Sequence, residues 1–461
     1  MDVNVVVKNC KLVGRDCIVE AGIAIDGEKI VAIARDDLLP TGRRVIDCGG
    51  NYVLPGIIDP HTHLGFRHPL EKSVRIDTEA AVYGGVTTLG TTLIIKNSNK
   101  FTSYEEEFIR WKNTYEQNAF MDGFVHAQLD SNILEKITIP EIAKKYGVTS
   151  FKFLMAYKGE EGKELGISGI DDGDLYLSFK QIGSLDYPAL AMVHAENIEL
   201  IYKLKKELKG VGKGGLSEWA KARPNEAELL DIERAISIAK ITKSPLYIVH
   251  LSTKEGLEVV RKAKESGVNV FAETCPHYLT LTKDSPIGTL GKINPPLREE
   301  ESREKLWEGI QKGIIDCIGT DHGSATKEMK KGDIWSAALG FPGIETYLPL
   351  MLSEGVNKGR ISIQKLVEVC CYNNAKVFGL YPKKGILQVG SDADLTVVDL
   401  NKVFEVNASK LHHLSDFTPY EGWKLKGWPI LTMVRGQIVM EKGKSVETSR
   451  IGKYIPIILP K

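Results

Sequence analysis

Between residues 52 and 321, eight short apolar runs alternate with helix-like stretches, and this alternation constrains the fold more than any other feature of the chain. The runs are YVLPGIID, VTTLGTTLII, FVHAQLD, SFKFLMAY, ALAMVHA, LYIVHLS, VNVFAETC and IIDCIGTD. Between them lie amphipathic segments such as EEEFIRWKNTYEQN, PEIAKKYG and NEAELLDIERAISIAKI. Strands separated by helices are the pattern of a parallel α/β fold. Eight such units predict a TIM-type (β/α)8 barrel over residues 56–375. The two chain ends differ from this middle. Residues 1–55 are short β-rich runs broken by the turn signals DGEK and CGGN, and residues 376–461 repeat that texture in ADLTVVDL and ILTMVRGQIVMEKG. The ends are therefore predicted to pair into one discontinuous β-sandwich domain.

Polar residues fall where such a barrel carries its chemistry, at the C-terminal ends of the strands. His61 and His63 close the first run. Lys152 lies in the fourth, His194 ends the fifth, His250 the sixth and Asp321 the eighth. The HxH spacing points both imidazoles to one face of a strand. Six residues converging from five strands have the composition of a site for two divalent metals around one activated water.

Lys152 is the most telling of them. In SFKFLMAY it alternates with Phe151 and Phe153, so it points into the barrel, where a bare ammonium is costly. It can snorkel to the rim or pair with a buried carboxylate. Alternatively, a neutral amine can add carbon dioxide, and the two oxygens of the resulting carbamate can serve two metals. Asp321, in GTDH, is either a helix N-cap or a metal ligand that also shuttles a proton to a leaving nitrogen.

Composition narrows the partners. Lys+Arg and Asp+Glu each number 60, so the formal charge is zero and no basic field invites nucleic acid. Near-neutrality also does little to oppose self-association. No apolar run reaches the ~18 residues of a membrane span. The N-terminus lacks the apolar stretch of a signal peptide. Seven scattered cysteines without a CxxC pair predict reduced thiols in a cytoplasmic protein. GGVTT lacks the ending of a phosphate loop, and no GxSxG elbow supports serine hydrolase chemistry. KEMKKGD reads as a solvated helix or loop, and Cys370-Cys371 as core.

The ordered set PGIIDPHTHL, SFKFLMAYKG, VHAEN, YIVHLST, ETCPHYL, NPPLR, IGTDH, KKGILQVGSDADL and SDFTPYEGW resembles the cyclic amidohydrolases: hydantoinases, dihydropyrimidinases, allantoinases and dihydroorotases. The resemblance spans essentially the whole chain. It implies two divalent ions per subunit, usually zinc, with manganese and cobalt as alternatives, bridged by N6-carboxylated Lys152. His61, His63 and Asp321 would hold the buried ion, and His194 and His250 the more exposed one. The implied reaction is hydrolysis of a ring C–N amide bond in a cyclic ureide, of hydantoin or dihydropyrimidine type, to an N-carbamoyl acid. The implied assembly is a homodimer or homotetramer.

The same resemblance makes Tyr157 a ligand of the substrate carbonyl and its developing oxyanion. Other positions depart from the hydantoinase pattern. Asn294 stands where hydantoinases usually have serine, and Leu339 where they usually have asparagine. His277, in CPHYL, is similar to allantoinases, and NPPLR to dihydroorotases. Arg67, four residues after His63, is assigned to the pocket entrance, where it either meets an anionic substrate group or lies exposed on a loop. An allantoinase- or dihydroorotase-like activity is therefore the alternative. A non-catalytic dihydropyrimidinase-like scaffold is opposed by the complete ligand set.

Overall fold

Eight parallel strands, each hydrogen-bonded to its neighbour in chain order, form a nearly closed barrel. They are β1 (Ile57–Thr62), β2 (Val86–Leu93), β3 (Asp122–Leu129), β4 (Ser150–Leu154), β5 (Leu190–His194), β6 (Leu246–Ile248), β7 (Val270–Thr274) and β8 (Cys317–Ile318). This computed structural model describes residues 2–459 apart from 97–99, 101–102, 211, 213 and 447–449. A parallel bridge between Thr62 and His322 joins the first strand to the segment after the last, and the His63 N–H donates to the His322 carbonyl at 2.8 Å.

The strands are buried almost throughout because helices cover their outer faces. Ile58, Phe124, Met192, Tyr247 and Cys317 pack in one buried cluster of the barrel strands. Within β2, the buried Thr87 and Thr91 hydroxyls donate to the carbonyls of Ile57, at 3.4 Å, and Thr62, at 3.2 Å. Helix Tyr104–Asn118 starts on a Ser103 cap, and helix Ile139–Tyr146 on a Thr138–Glu141 capping box. Helix Asn225–Thr242 follows the third amphipathic segment.

The first apolar run does not belong to the barrel as a whole. Tyr52–Pro55 pairs antiparallel with Leu395–Val398 in another sheet, and only from Ile57 does the chain enter the barrel. Gly56 makes the transfer possible. A Cβ there would lie 2.0 Å from Thr87 Oγ1, so no other residue fits without displacing β2.

Both chain ends build the additional sheets. One holds Lys29–Ala34, Gly22–Asp26, Val3–Lys8 and Gly42–Asp47 in that order. The other has seven strands, with Lys424–Val434, Leu395–Glu405, Tyr52–Pro55 and Lys11–Val13 adjacent at its centre. Val7, Ile23 and Ile25 of the first sheet share a core with Val53, Val397 and Met433 of the second. A buried ion cluster fastens this sandwich to the barrel. Lys384 Nζ reaches Asp122 at 2.9 Å, Asp392 at 3.1 Å and Asp394 at 2.5 Å, and Arg435 also pairs with Asp122.

Two local readings met different outcomes. KEMKKGD is not wholly solvated, because Lys330 is buried and donates to the Lys292 carbonyl at 2.9 Å. Cys370 and Cys371 are buried in a helical turn, as core residues. The tail SDFTPYEGW packs on the segment that follows β8: Ser415 Oγ accepts from Ala325 N–H at 3.0 Å, and Asp416 from Lys327 N–H at 2.6 Å.

Candidate active site

The polar residues of five strands meet at one mouth of the barrel. His61 lies fully buried one residue before the end of β1, and His63 follows the strand. Lys152 lies at the centre of β4, His194 closes β5, and His250 and Asp321 follow β6 and β8. Their rings form a continuous chain: Tyr157 to His194 at 5.2 Å between centroids, His194 to His250 at 4.5 Å, His250 to His61 at 5.5 Å and His61 to His63 at 5.3 Å. His250 and Asp321 adopt φ of +41° and +50°. Non-glycine residues in that region carry about 1–3 kcal/mol of strain each, so the surrounding structure must impose it. Asp321 is not a helix cap, since the next helix is Tyr347–Leu350.

Buried carboxylates orient the imidazoles. His61 Nδ1 lies 2.7 Å from Glu273, which also accepts from the His250 N–H at 3.1 Å and the Tyr247 hydroxyl at 2.9 Å. With Nδ1 donating to Glu273, His61 Nε2 presents a lone pair toward Lys152 Nζ at 3.0 Å and Asp321 Oδ1 at 3.4 Å. His194 repeats the pattern. Its Nε2 lies 2.8 Å from Glu196, so Nδ1 presents a lone pair toward His250 Nε2, 2.8 Å away. Glu196 is itself gripped by Arg223, whose Nη2 lies 2.8 Å away and whose Nη1 lies 3.0 Å from Glu161. Asp59 accepts from Thr320 through both N–H, at 3.0 Å, and Oγ1, at 2.6 Å, tying β1 to the segment that carries Asp321.

Burial sets the protonation states. It drives His61 and His250 well below the usual histidine range, and the neighbouring Lys152 and His194 charges add to this. It pushes the Lys152 amine down to about 8, against the pull of Glu273 and Asp321. Asp321 resists its burial and falls well below the usual carboxylate range because His61 and His63 face it. Glu273 is pushed up to about 7 by burial, whereas Arg223 overcomes burial and holds Glu196 near 2.

This donor set suits divalent cations. His61, His63 and Asp321 each offer one ligand atom, all within 4.8 Å of one another. An imidazole lone pair facing a carboxylate oxygen is repulsive unless a cation stands between them. His194 Nδ1 and His250 Nε2 present a second convergent pair. Lys152 Nζ lies 3.0 Å from His61 Nε2, and Lys152 lines the cavity with His63, His194, His250 and Asp321.

Above them the cavity is lined by Phe66, Ile94, Leu154, Tyr157, Asn294 and Leu339, and holds about 670 Å³ of atom-free space including its mouth. Tyr157 is buried, and its hydroxyl accepts from Asn294 Nδ2 at 3.1 Å. Asn294 Oδ1 is buried without a partner among the described residues. Arg67 does not line this cavity. It is half-buried beside it, with Nε donating to the Leu339 carbonyl at 3.1 Å. His277 is buried and also lies outside the lining.

Sequence reasoning overlooked Glu273, Glu196, Asp59 and Arg223. Two of them carried a legible signal: Glu196 lies two residues after His194, and Glu273 is a carboxylate inside an apolar strand run, as anomalous there as Lys152.

Residues 186–439 match the profile of the amidohydrolase family. The chain is 36% identical to an L-hydantoinase of Paenarthrobacter aurescens over 98% of each chain. It is 30% identical to an allantoinase of Bacillus licheniformis, over 99% of this chain and all of the relative. The solved structure of an L-hydantoinase (dihydropyrimidinase) from Arthrobacter aurescens superposes with a TM-score of 0.91 at 35% identity, covering 98% of this chain and 100% of the other.

Proposed function

The chain belongs to the amidohydrolase family, and we propose that it is a cyclic amidohydrolase that opens a hydantoin- or dihydropyrimidine-type ring to an N-carbamoyl acid. One observation carries this reading. In a chain similar to a hydantoinase along its length, oriented imidazoles, a depressed lysine and a low-pKa carboxylate converge under a hydroxyl donor.

His61, His63 and Asp321 would hold one divalent ion and His194 and His250 the other, and N6-carboxylated Lys152 would serve both. Bound there, the ions supply Lewis acidity and water ionised near neutral pH. Zinc suits the imidazole-rich set best, and manganese and cobalt are alternatives. Lys152 must lose a proton before it can add carbon dioxide, and its value of about 8 leaves a neutral fraction at neutral pH. Asp321 takes the proton from the attacking water and returns it to the leaving ring nitrogen. Burial raises the Tyr157 hydroxyl, so it stays protonated. Because that oxygen accepts from Asn294, its own proton is available to the ring carbonyl as charge develops. Asn294 Oδ1 accepts a ring N–H, Leu339 packs on the ring face, and Arg67 stands at the entrance.

Hydantoin hydrolysis by metal-depleted and then zinc-supplemented protein tests this. Ring opening should appear only after metal is returned, and its absence from the loaded protein would refute the reading. The second reading, an allantoinase-like activity, is favoured by Leu339 in the lining and by the similarity to an allantoinase.

The proposal includes the division into a barrel over 56–375 and a sandwich over 1–55 and 376–461, supported by the sheets both ends share. It also includes a homodimer or homotetramer, with neither nucleic acid nor membrane as partner, in the cytoplasm. Among the described residues no helix is long and apolar enough to cross a membrane, and all seven cysteines are free thiols.

A further inference from the structure

A second chamber opens directly beside the reaction cavity, and its chemistry is different. Phe66, Tyr157, Asn294 and Leu339 line both, forming a shared wall. The second chamber holds about 1340 Å³ of atom-free space including its mouth. Among the described residues of its lining, five are cationic (Arg67, Lys96, Lys205, Lys209 and Lys292) and one, Glu161, is anionic. Glu161 does not balance them, because it is shared with the buried guanidinium of Arg223 at 3.0 Å as well as with Lys205 at 3.0 Å.

Several of these cations are held in position. Arg67 is tied to the Leu339 carbonyl, and Lys96 Nζ donates to the Phe66 carbonyl at 2.6 Å. Lys292 is buried, lies 4.4 Å over the Trp219 ring and donates to the Ala337 carbonyl at 2.6 Å. They also repel one another. Burial lowers Lys96, and the Arg67 charge lowers it further; behind the wall, burial lowers Lys330, with Arg67 and Lys292 adding to the effect. An anion entering the chamber relieves that repulsion.

We propose that this chamber is a subsite for an anionic ring substituent, so that the preferred substrates are cyclic ureides whose side chain ends in a carboxylate. The inference rests on the ring-opening reading above. The ring lies over the metal-ligand cluster, its apolar side chain crosses the wall between Phe66, Tyr157 and Leu339, and the terminal carboxylate meets Arg67 and Lys96.

The test compares two nearly isosteric rings on metal-loaded enzyme: hydantoin carrying a carboxyethyl side chain, and the same ring carrying carbamoylethyl. Expected is a kcat/KM at least about tenfold higher for the acid at low salt, the scale of one charge-assisted contact. The ratio should fall toward unity near 1 M salt, where exposed charges are screened beyond about 3 Å. It should also fall in Arg67→Gln and in the double variant Lys96→Gln/Lys209→Gln. The ratio cancels losses common to both rings, so a folding defect does not imitate the effect. A ratio of one or below in the native enzyme, with hydantoin itself opened, overturns the subsite and leaves the ring-opening reading standing. A high ratio unmoved by either variant overturns it too. If no ring is opened by the loaded enzyme, the functional reading fails and the subsite falls with it.

Discussion

Replacing Glu196 with glutamine removes one charge and almost no volume, and it tests whether the carboxylate that orients His194 and pairs with Arg223 governs the site. The glutamine amide oxygen can still accept from His194 Nε2, but it no longer balances Arg223, a guanidinium with no exposed surface. Removing one partner of a buried ion pair costs about 3–5 kcal/mol. The lower end applies here, because Glu161 keeps its own contacts to Arg223 Nη1 at 3.0 and 3.2 Å. A second route gives the same scale. Glu196 is held near 2 against an ordinary 4.5, and that difference corresponds to about 3 kcal/mol of stability. The sign follows from the depressed value: the contribution is complete above pH 4.5 and is lost as pH falls toward 2. Urea unfolding of Glu196→Gln near neutrality should therefore show a deficit of about 3 kcal/mol that narrows through that acid window. Zinc titration should show roughly 10–100-fold weaker binding at the His194–His250 site, the usual cost of losing a ligand's orienting partner, and little change at the other. Native stability with unchanged affinity at both sites would refute the reasoning.

Three further substitutions probe the reaction. Lys152→Ala should lose both metal and turnover, measured by elemental analysis alongside rate, and short carboxylic acids should restore part of the rate by supplying two oxygens. Full metal occupancy in that variant would exclude the bridging role. Asp321→Asn should lower turnover at least ~100-fold, the scale of general acid–base catalysis; near-normal turnover at normal metal content would remove it as the proton carrier. Tyr157→Phe should lower kcat by ~10²–10³ with a smaller change in KM, as expected for a donor whose bond strengthens in the transition state. An equal loss in ground-state binding would make it a binding contact only.

The barrel was legible because burial on both faces leaves strands as apolar runs, which the helical segments separate. The metal-ligand candidates were legible for the same reason, since Lys152 and the strand-end histidines are anomalies within those runs. Other features had no local signature. Arg223 gains its meaning only when the fold brings Glu161 and Glu196 to it. Tyr52–Pro55 and Ile57–Thr62 read as one run because apolarity does not reveal a change of sheet, which depends on how closely Gly56 approaches Thr87. Lys330 looked solvated because a charge run is judged by its composition, whereas its ammonium is folded beneath the Lys292 carbonyl. Arg67 could not be placed from its distance along the chain from His63. The Leu339 carbonyl positions it, and that contact spans 272 residues.

The central claim is that this site opens the ring of a hydantoin- or dihydropyrimidine-type cyclic ureide, and a substrate panel tests it most directly. Hydantoin, dihydrouracil, allantoin and dihydroorotate should be compared on enzyme loaded in turn with zinc, manganese and cobalt, with the carbamoyl acid product measured. The account predicts that hydantoin and dihydrouracil are opened fastest and that chelation abolishes the activity. Faster opening of allantoin or dihydroorotate than of hydantoin and dihydrouracil, or the absence of ring opening with every metal, would contradict it.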